Sequence, residues 1–140
     1  MIWLEWNMRF AGLLLMLLGL AHIPMPRYFK WKEECEALTP LTREIHFVHH
    51  AYIGFICLLN GVLCAGFAPD LIARSPLSRD LLIGLGIFWG SRLIVQVFVY
   101  SPAHWRGKRF ETVTHVLFTL FWLYLAATFF GTQAVLSHVA

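Results

Sequence analysis

Six of the seven histidines in this chain collect at one end of the membrane bundle that its apolar runs predict. They are His22, His46, His49, His50, His104 and His115, and they come from four separate stretches; only His138 lies toward the other end. Imidazole is the commonest metal ligand and the side chain that most readily exchanges a proton near neutrality. It is also rare beside lipid, where an ionisable group marks a site by default. On a helix, His46, His49 and His50 fall within about 100° of arc and can face one interior position. His22 ends the first span and His115 enters the fourth from the same side, about 5 Å past Thr112 at 1.5 Å per residue. His22, His46, His49, His50 and His115 are therefore the candidate metal ligands.

Arg92 is the second chemical feature. It stands near the centre of the third span, and no acidic residue lies inside any span; Glu44 and Glu111 are the nearest by depth. A mid-bilayer arginine costs at least about 2.5 kcal/mol unless it is solvated or paired. Trp89 precedes it by three residues, and Gln96 and Tyr100 follow at four and eight, so a polar stripe rises toward the histidine end. Arg92, Gln96, Tyr100 and the loop residue His104 are the candidate cofactor-binding residues. Arg92 either binds an anion (a lipid headgroup, a substrate carboxylate, a haem propionate) or snorkels to Glu111 or to helix-end carbonyls. Gln96 and Tyr100 either position a quinone or carbonyl oxygen or cross-link helices. Glu111, one turn before His115, suits a metal ligand, an acceptor for an imidazole N–H, or simply a helix N-terminus.

The elements that must position these residues follow from composition. Of 140 residues, 59% are hydrophobic and 14% charged, against about 25% charged in soluble domains. The apolar residues form four runs of about 20, enough to cross roughly 30 Å of hydrocarbon. They are Trp3–Ile23, Ile45–Phe67, Leu81–Tyr100 and Thr112–Gly131. Pro24 and Pro26 stop the first. The second starts earlier than Ile45, because Thr39 and Pro40 make a good N-cap and first-turn pair. Between spans one and two, Tyr28, Trp31, Cys35 and Leu38 are spaced as on a short amphipathic surface helix. Ala68–Asp80 reads as a plain loop and Ser101–Glu111 as a short basic one. Gly86 and Gly90 form a small-xxx-small pair for close helix packing, Asn60 an interhelical hydrogen-bond partner. Cys57 and Cys64 share a helix face and suit buried packing, whereas Cys35 is in a loop; an odd count with no C-x-x-C argues against a disulfide framework.

The expected fold is an all-α integral membrane protein, an antiparallel four-helix transmembrane bundle with a short interfacial helix between spans one and two, as one domain over 1–140. The first run is read as a retained helix rather than a cleaved signal, since Glu5 interrupts its start and no small-x-small site follows. Arg27, Lys30, Lys32, Arg43, Arg106, Lys108 and Arg109 lie on the side of the first and third connections, and Arg9, Arg74 and Arg79 on the other. The excess makes the histidine end cytoplasmic and places both termini outside, as in a bacterial inner membrane. The net charge of +3 is too small and scattered for nucleic acid.

The run His46-Phe47-Val48-His49-His50 has the spacing H-x-x-H-H, which resembles one histidine box of the membrane fatty-acid desaturases and hydroxylases. Those enzymes hold their metal with several such boxes; one stands here, and no family is assigned from it. The preferred reading is a membrane redox protein holding haem b or a related tetrapyrrole, with His49 or His50 and His115 as axial ligands at equal depth. Arg43, Arg106 and Arg109 would pair its propionates. Absence of C-x-x-C-H excludes covalent c-type attachment. The first alternative is a non-haem metalloenzyme using iron, copper or zinc on a lipid or quinone. The second is an accessory subunit of a larger membrane complex, with histidines that only satisfy hydrogen bonds. No Ser-His-Asp arrangement or phosphate loop is present, and whether the chain is an enzyme stays open.

Overall fold

Helix starts in this chain are written in its serines, threonines and prolines. The structure is a computed structural model that describes residues 1–138, and every element among them is helical. The order is α1 (Ile2–Ala21), α2 (Met25–Tyr28), α3 (Trp31–Glu34), α4 (Pro40–Gly66), α5 (Ala68–Leu71), α6 (Pro76–Phe98), a 3-10 turn at Pro102–His104, and α7 (Arg109–His138). Thr39 caps α4, its hydroxyl accepting from the Thr42 N–H at 3.3 Å, with Pro40 in the first turn. Ser75 and Pro76 do the same for α6, where the Ser75 hydroxyl accepts from the Ser78 N–H at 3.0 Å. In each case the side-chain oxygen satisfies one of the orphan donors of the first turn.

Four helices, α1, α4, α6 and α7, are long and apolar enough to cross a membrane. Their outward faces are as apolar as their cores. Ile2, Leu17, Leu41, Ile87, Phe98, Phe110 and Leu117 are each more than 60% exposed. Water would not tolerate so much contiguous apolar surface, whereas lipid is its natural solvent. The chain is a multi-pass membrane protein.

Several elements depart from the sequence reading. The segment after α1 is not one amphipathic helix but two single turns, broken where Lys30 takes a left-handed backbone (φ 51°). Ala68–Asp80 is not a plain loop, since α5 occupies its start and α6 begins at Pro76. The fourth span runs well past Gly131, to His138. The third ends at Phe98, so Arg92 lies six residues from the end of its helix, about 9 Å at 1.5 Å per residue, and not at its centre.

The chain divides into two compact units, Ile2–Ala68 and the part from Pro69 onward. In the first, α1 packs on α4 through glycine. A Cβ on Gly12 would stand 2.5 Å from the Ala65 nitrogen and 2.7 Å from the Gly61 oxygen, and one on Gly61 2.8 Å from the Gly12 oxygen. Gly19 meets Gly54 and Leu58 one heptad further along. Contacts that advance along α1 retreat along α4, so the two run in opposite directions. Gly54, Cys57, Gly61 and Cys64 are all buried, an a/d seam made of small residues. Arg9 ties the far end, donating to the Ala65 carbonyl at 2.8 Å and to Glu5 at 2.8 Å and 3.1 Å. That carbonyl belongs to the last turn of α4, which lacks helical donors.

In the second unit α6 packs on α7 through aromatic rings. The indoles of Trp89 and Trp122 stack at 5.4 Å and 5°. Phe130 lies against Gly86, where a Cβ would meet its ring at 2.7 Å, while Gly90 has only an ordinary 3.8 Å contact. The Gly86/Gly90 pair therefore seats a ring, and the close backbone approach expected there occurs instead between α1 and α4.

Candidate functional site

The histidines divide between the two units. In the first, His22 follows α1 and its ring stacks on that of His50 from α4, at 4.9 Å and 28°. The pairing follows from the glycine seam. His50 stands four residues before Gly54 on the same face of α4, and Gly54 faces His22, whose Cβ would be 2.9 Å from a Cβ placed on the glycine. Trp31, set by the left-handed turn at Lys30, packs edge-on to His50 at 4.6 Å and to His46 at 4.9 Å. His49 is exposed and turned away from this group. The H-x-x-H-H run is thus split, with His46 and His50 flanking Trp31. The expectation that all three histidines face one interior site is not met: His46 and His50 pack on Trp31, whereas His49 is exposed with its Nδ1 on the Ile45 carbonyl.

Hydrogen bonds place a hydrogen on one nitrogen each of His22, His49 and His50. Nδ1 of His22 lies 2.8 Å from the Leu18 carbonyl and Nδ1 of His49 2.8 Å from the Ile45 carbonyl. A carbonyl only accepts, so both Nδ1 atoms carry hydrogen and the neutral rings keep a lone pair on Nε2. His50 is reversed. Its Nε2–H donates to the His22 carbonyl at 2.8 Å, leaving the lone pair on Nδ1. His22 and His50 line a cavity of about 390 Å³ between α1 and α4. Its other walls are apolar or backbone: Gly19 and Gly54, Ala51, and the side chains of Phe47, Phe55 and Leu58. Such a volume lies in the range that holds a small organic molecule.

In the second unit, His115 belongs to a different arrangement. Trp105 stacks on it at 4.5 Å and 11°, and the Gln96 amide donates to its Nδ1 at 2.9 Å. Its hydrogen therefore sits on Nε2, the reverse of what ligation through Nε2 requires. Arg92 does not reach Glu111. It donates to the Tyr100 hydroxyl at 3.2 Å and lies over the rings of Trp122 (5.1 Å) and Tyr100 (5.5 Å). His104 is exposed in the 3-10 turn, away from the contacts made by Arg92, Gln96 and Tyr100. The sequence suggests Trp31 only as part of a surface helix and gives no sign of Trp105 or Trp122, yet Trp31 packs on His46 and His50, Trp105 on His115 and Trp122 on Arg92.

Among the described residues no group of three or more His, Cys, Asp or Glu side chains is placed to hold a metal ion. The three cysteines are buried, and none of them is in a disulfide. No family model, curated protein or solved structure matches the chain.

Proposed function

We propose that this protein binds an apolar molecule bearing a hydroxyl head, of the quinol or lipid-alcohol class, in the cavity between α1 and α4, and that it serves membrane redox chemistry through that ligand. The carrying observation is the pair of ring nitrogens. With Nδ1–H of His22 and Nε2–H of His50 committed to backbone carbonyls, each ring offers only a lone pair. A quinone carbonyl is itself an acceptor and finds no donor there, whereas a phenolic O–H donates to either nitrogen. The apolar walls suit the rest of the molecule, and Trp31 packs edge-on to His50. The four spans would form an antiparallel bundle in a bacterial inner-membrane type of bilayer. Its histidine end would be cytoplasmic, with both termini outside, as the distribution of Lys and Arg supports.

Filling the cavity tests this. Ala51 lines the cavity and is exposed on its helix, so Ala51→Phe occupies the space without disturbing the glycine seam. Detergent-purified protein should bind decylubiquinol saturably and the variant should lose at least tenfold in affinity. Equal binding by both would refute the site.

Haem b is the second reading, favoured by one observation: His22 and His49 hold Nδ1–H on a carbonyl and keep Nε2 bare, the state of a ligating imidazole. His115 and His50 do not fit as the partner ligand in their present bonding. A Soret band with sharp bands on dithionite reduction would establish this reading over the first. A non-haem iron, copper or zinc enzyme would need ligands gathered from more than the His22/His50 pair. An accessory role in a larger complex would predict neither ligand nor chromophore.

A further inference from the structure

We propose that the α6/α7 hairpin carries a separate binding site for a singly charged phosphate ester, centred on Arg92, whose natural source is an anionic lipid headgroup. The guanidinium has solvating neighbours but no counter-charge. Its contacts are the Tyr100 hydroxyl and the faces of Trp122 and Tyr100, all neutral. Neither the Arg9–Glu5 nor the Arg79–Asp80 ion pair involves Arg92.

The surroundings are rich in donors and short of acceptors. Nη1 of Arg92 and the indole nitrogens of Trp89 and Trp122 are buried with no hydrogen-bond partner, and both indoles are less than 5% exposed. Trp122 touches both Arg92 and Trp89, so the unpartnered groups belong to one contiguous cluster. A buried N–H without an acceptor is costly, and an anion is the ligand that relieves several at once.

Arg92 as a whole is half-buried, which leaves an edge of the fork approachable. Tyr100 accepts from Arg92, so its own O–H is available to donate to the same anion. Depth selects the source. The side chain reaches toward Tyr100, eight residues on and beyond the end of α6, which carries the charge outward to where lipid phosphates lie. This site is built from α6 and α7 alone and does not depend on the cavity between α1 and α4.

Native mass spectrometry of the intact protein, released from detergent with added dioleoyl phosphatidylglycerol, reads the site directly. One tightly held lipid adduct is expected. It should fall at least tenfold in Arg92→Gln and survive at reduced level in Arg92→Lys, which keeps the charge but not the fork. Tyr100→Phe and Trp122→Phe keep the ring faces and remove single donors, so each should weaken the adduct a few-fold in a protein that still folds. Excess inorganic phosphate that displaces the lipid would assign the same site to a free anion; no displacement assigns it to the headgroup. An adduct indifferent to Arg92→Gln and Tyr100→Phe, or equally strong with phosphatidylcholine, overturns the proposal.

Discussion

The two hairpins solve one problem in opposite ways. Each must hold two helices together where lipid is as apolar as leucine, so burial of apolar surface alone gives little preference for contact. The α1/α4 hairpin brings backbones together by removing side chains, at Gly12, Gly19, Gly54 and Gly61. The α6/α7 hairpin holds them apart on rings, with Trp89 on Trp122 and Phe130 on Gly86. The consequences for chemistry differ too. Around Gly19 and Gly54 the small-residue seam opens into a cavity that His22 and His50 line, their Nδ1 and Nε2 respectively held by backbone carbonyls. The aromatic seam sets Arg92 over the faces of Trp122 and Tyr100 and leaves its Nη1 and the indole nitrogens of Trp89 and Trp122 without hydrogen-bond partners. One hairpin is short of donors at its site, the other short of acceptors, and the two should recruit ligands of opposite polarity.

The contrast can be broken at several points, with effects of decreasing size. Trp122→Ala removes the ring that both Trp89 and Arg92 rest on, and should destabilise the α6/α7 hairpin by about 3–5 kcal/mol in detergent unfolding. A loss under about 1 kcal/mol would mean the stack is incidental. Gly61→Leu forces a side chain against Met16 and the Gly12 backbone at under 3 Å, where overpacking should cost about 3 kcal/mol. A neutral result would deny the close crossing. Arg9→Met takes the donor from the Ala65 carbonyl and breaks the pair with Glu5. The cost should be roughly 1 kcal/mol, and at most about 2 for a cation at a helix C-terminus, in the same assay. Gly131→Ala is the control. A Cβ there meets nothing within 4 Å, so the variant should be unchanged or more stable by up to about 1 kcal/mol. Destabilisation would reveal a contact at that face.

How much of this was legible can be judged residue by residue. The spans were, because 20 apolar residues in a row leave few alternatives to a membrane. Thr39-Pro40 announced the start of α4, and Ser75-Pro76 carried the same signal for α6, unread because the prolines suggested a loop. The Gly12/Gly19 and Gly54/Gly61 heptad spacing is present in the sequence, but the i, i+4 pair Gly86/Gly90 is the commoner signature of close packing. Those glycines also fixed which histidine faces α1, since His50 shares their face and His49 does not. What no local pattern carried is the state of the rings. The tautomers of His22, His49 and His50 depend on which carbonyl lies within 2.8 Å, and that of His115 on the Gln96 amide from another helix. The left-handed turn at Lys30 that delivers Trp31 was likewise hidden, because lysine gives no sign of a positive φ.

The central claim is that His22 and His50 present lone pairs, not N–H donors, to a ligand between α1 and α4. It is tested most directly by measuring equilibrium binding of decylubiquinol and of its oxidised form, decylubiquinone, to the same purified protein. The account predicts that the reduced form binds roughly tenfold more tightly, as expected for one or two net hydrogen bonds of about 1 kcal/mol each. The preference should shrink in His50→Phe and vanish when His22→Phe is added. Equal affinity for the two forms, or tighter binding of the oxidised one, would contradict it.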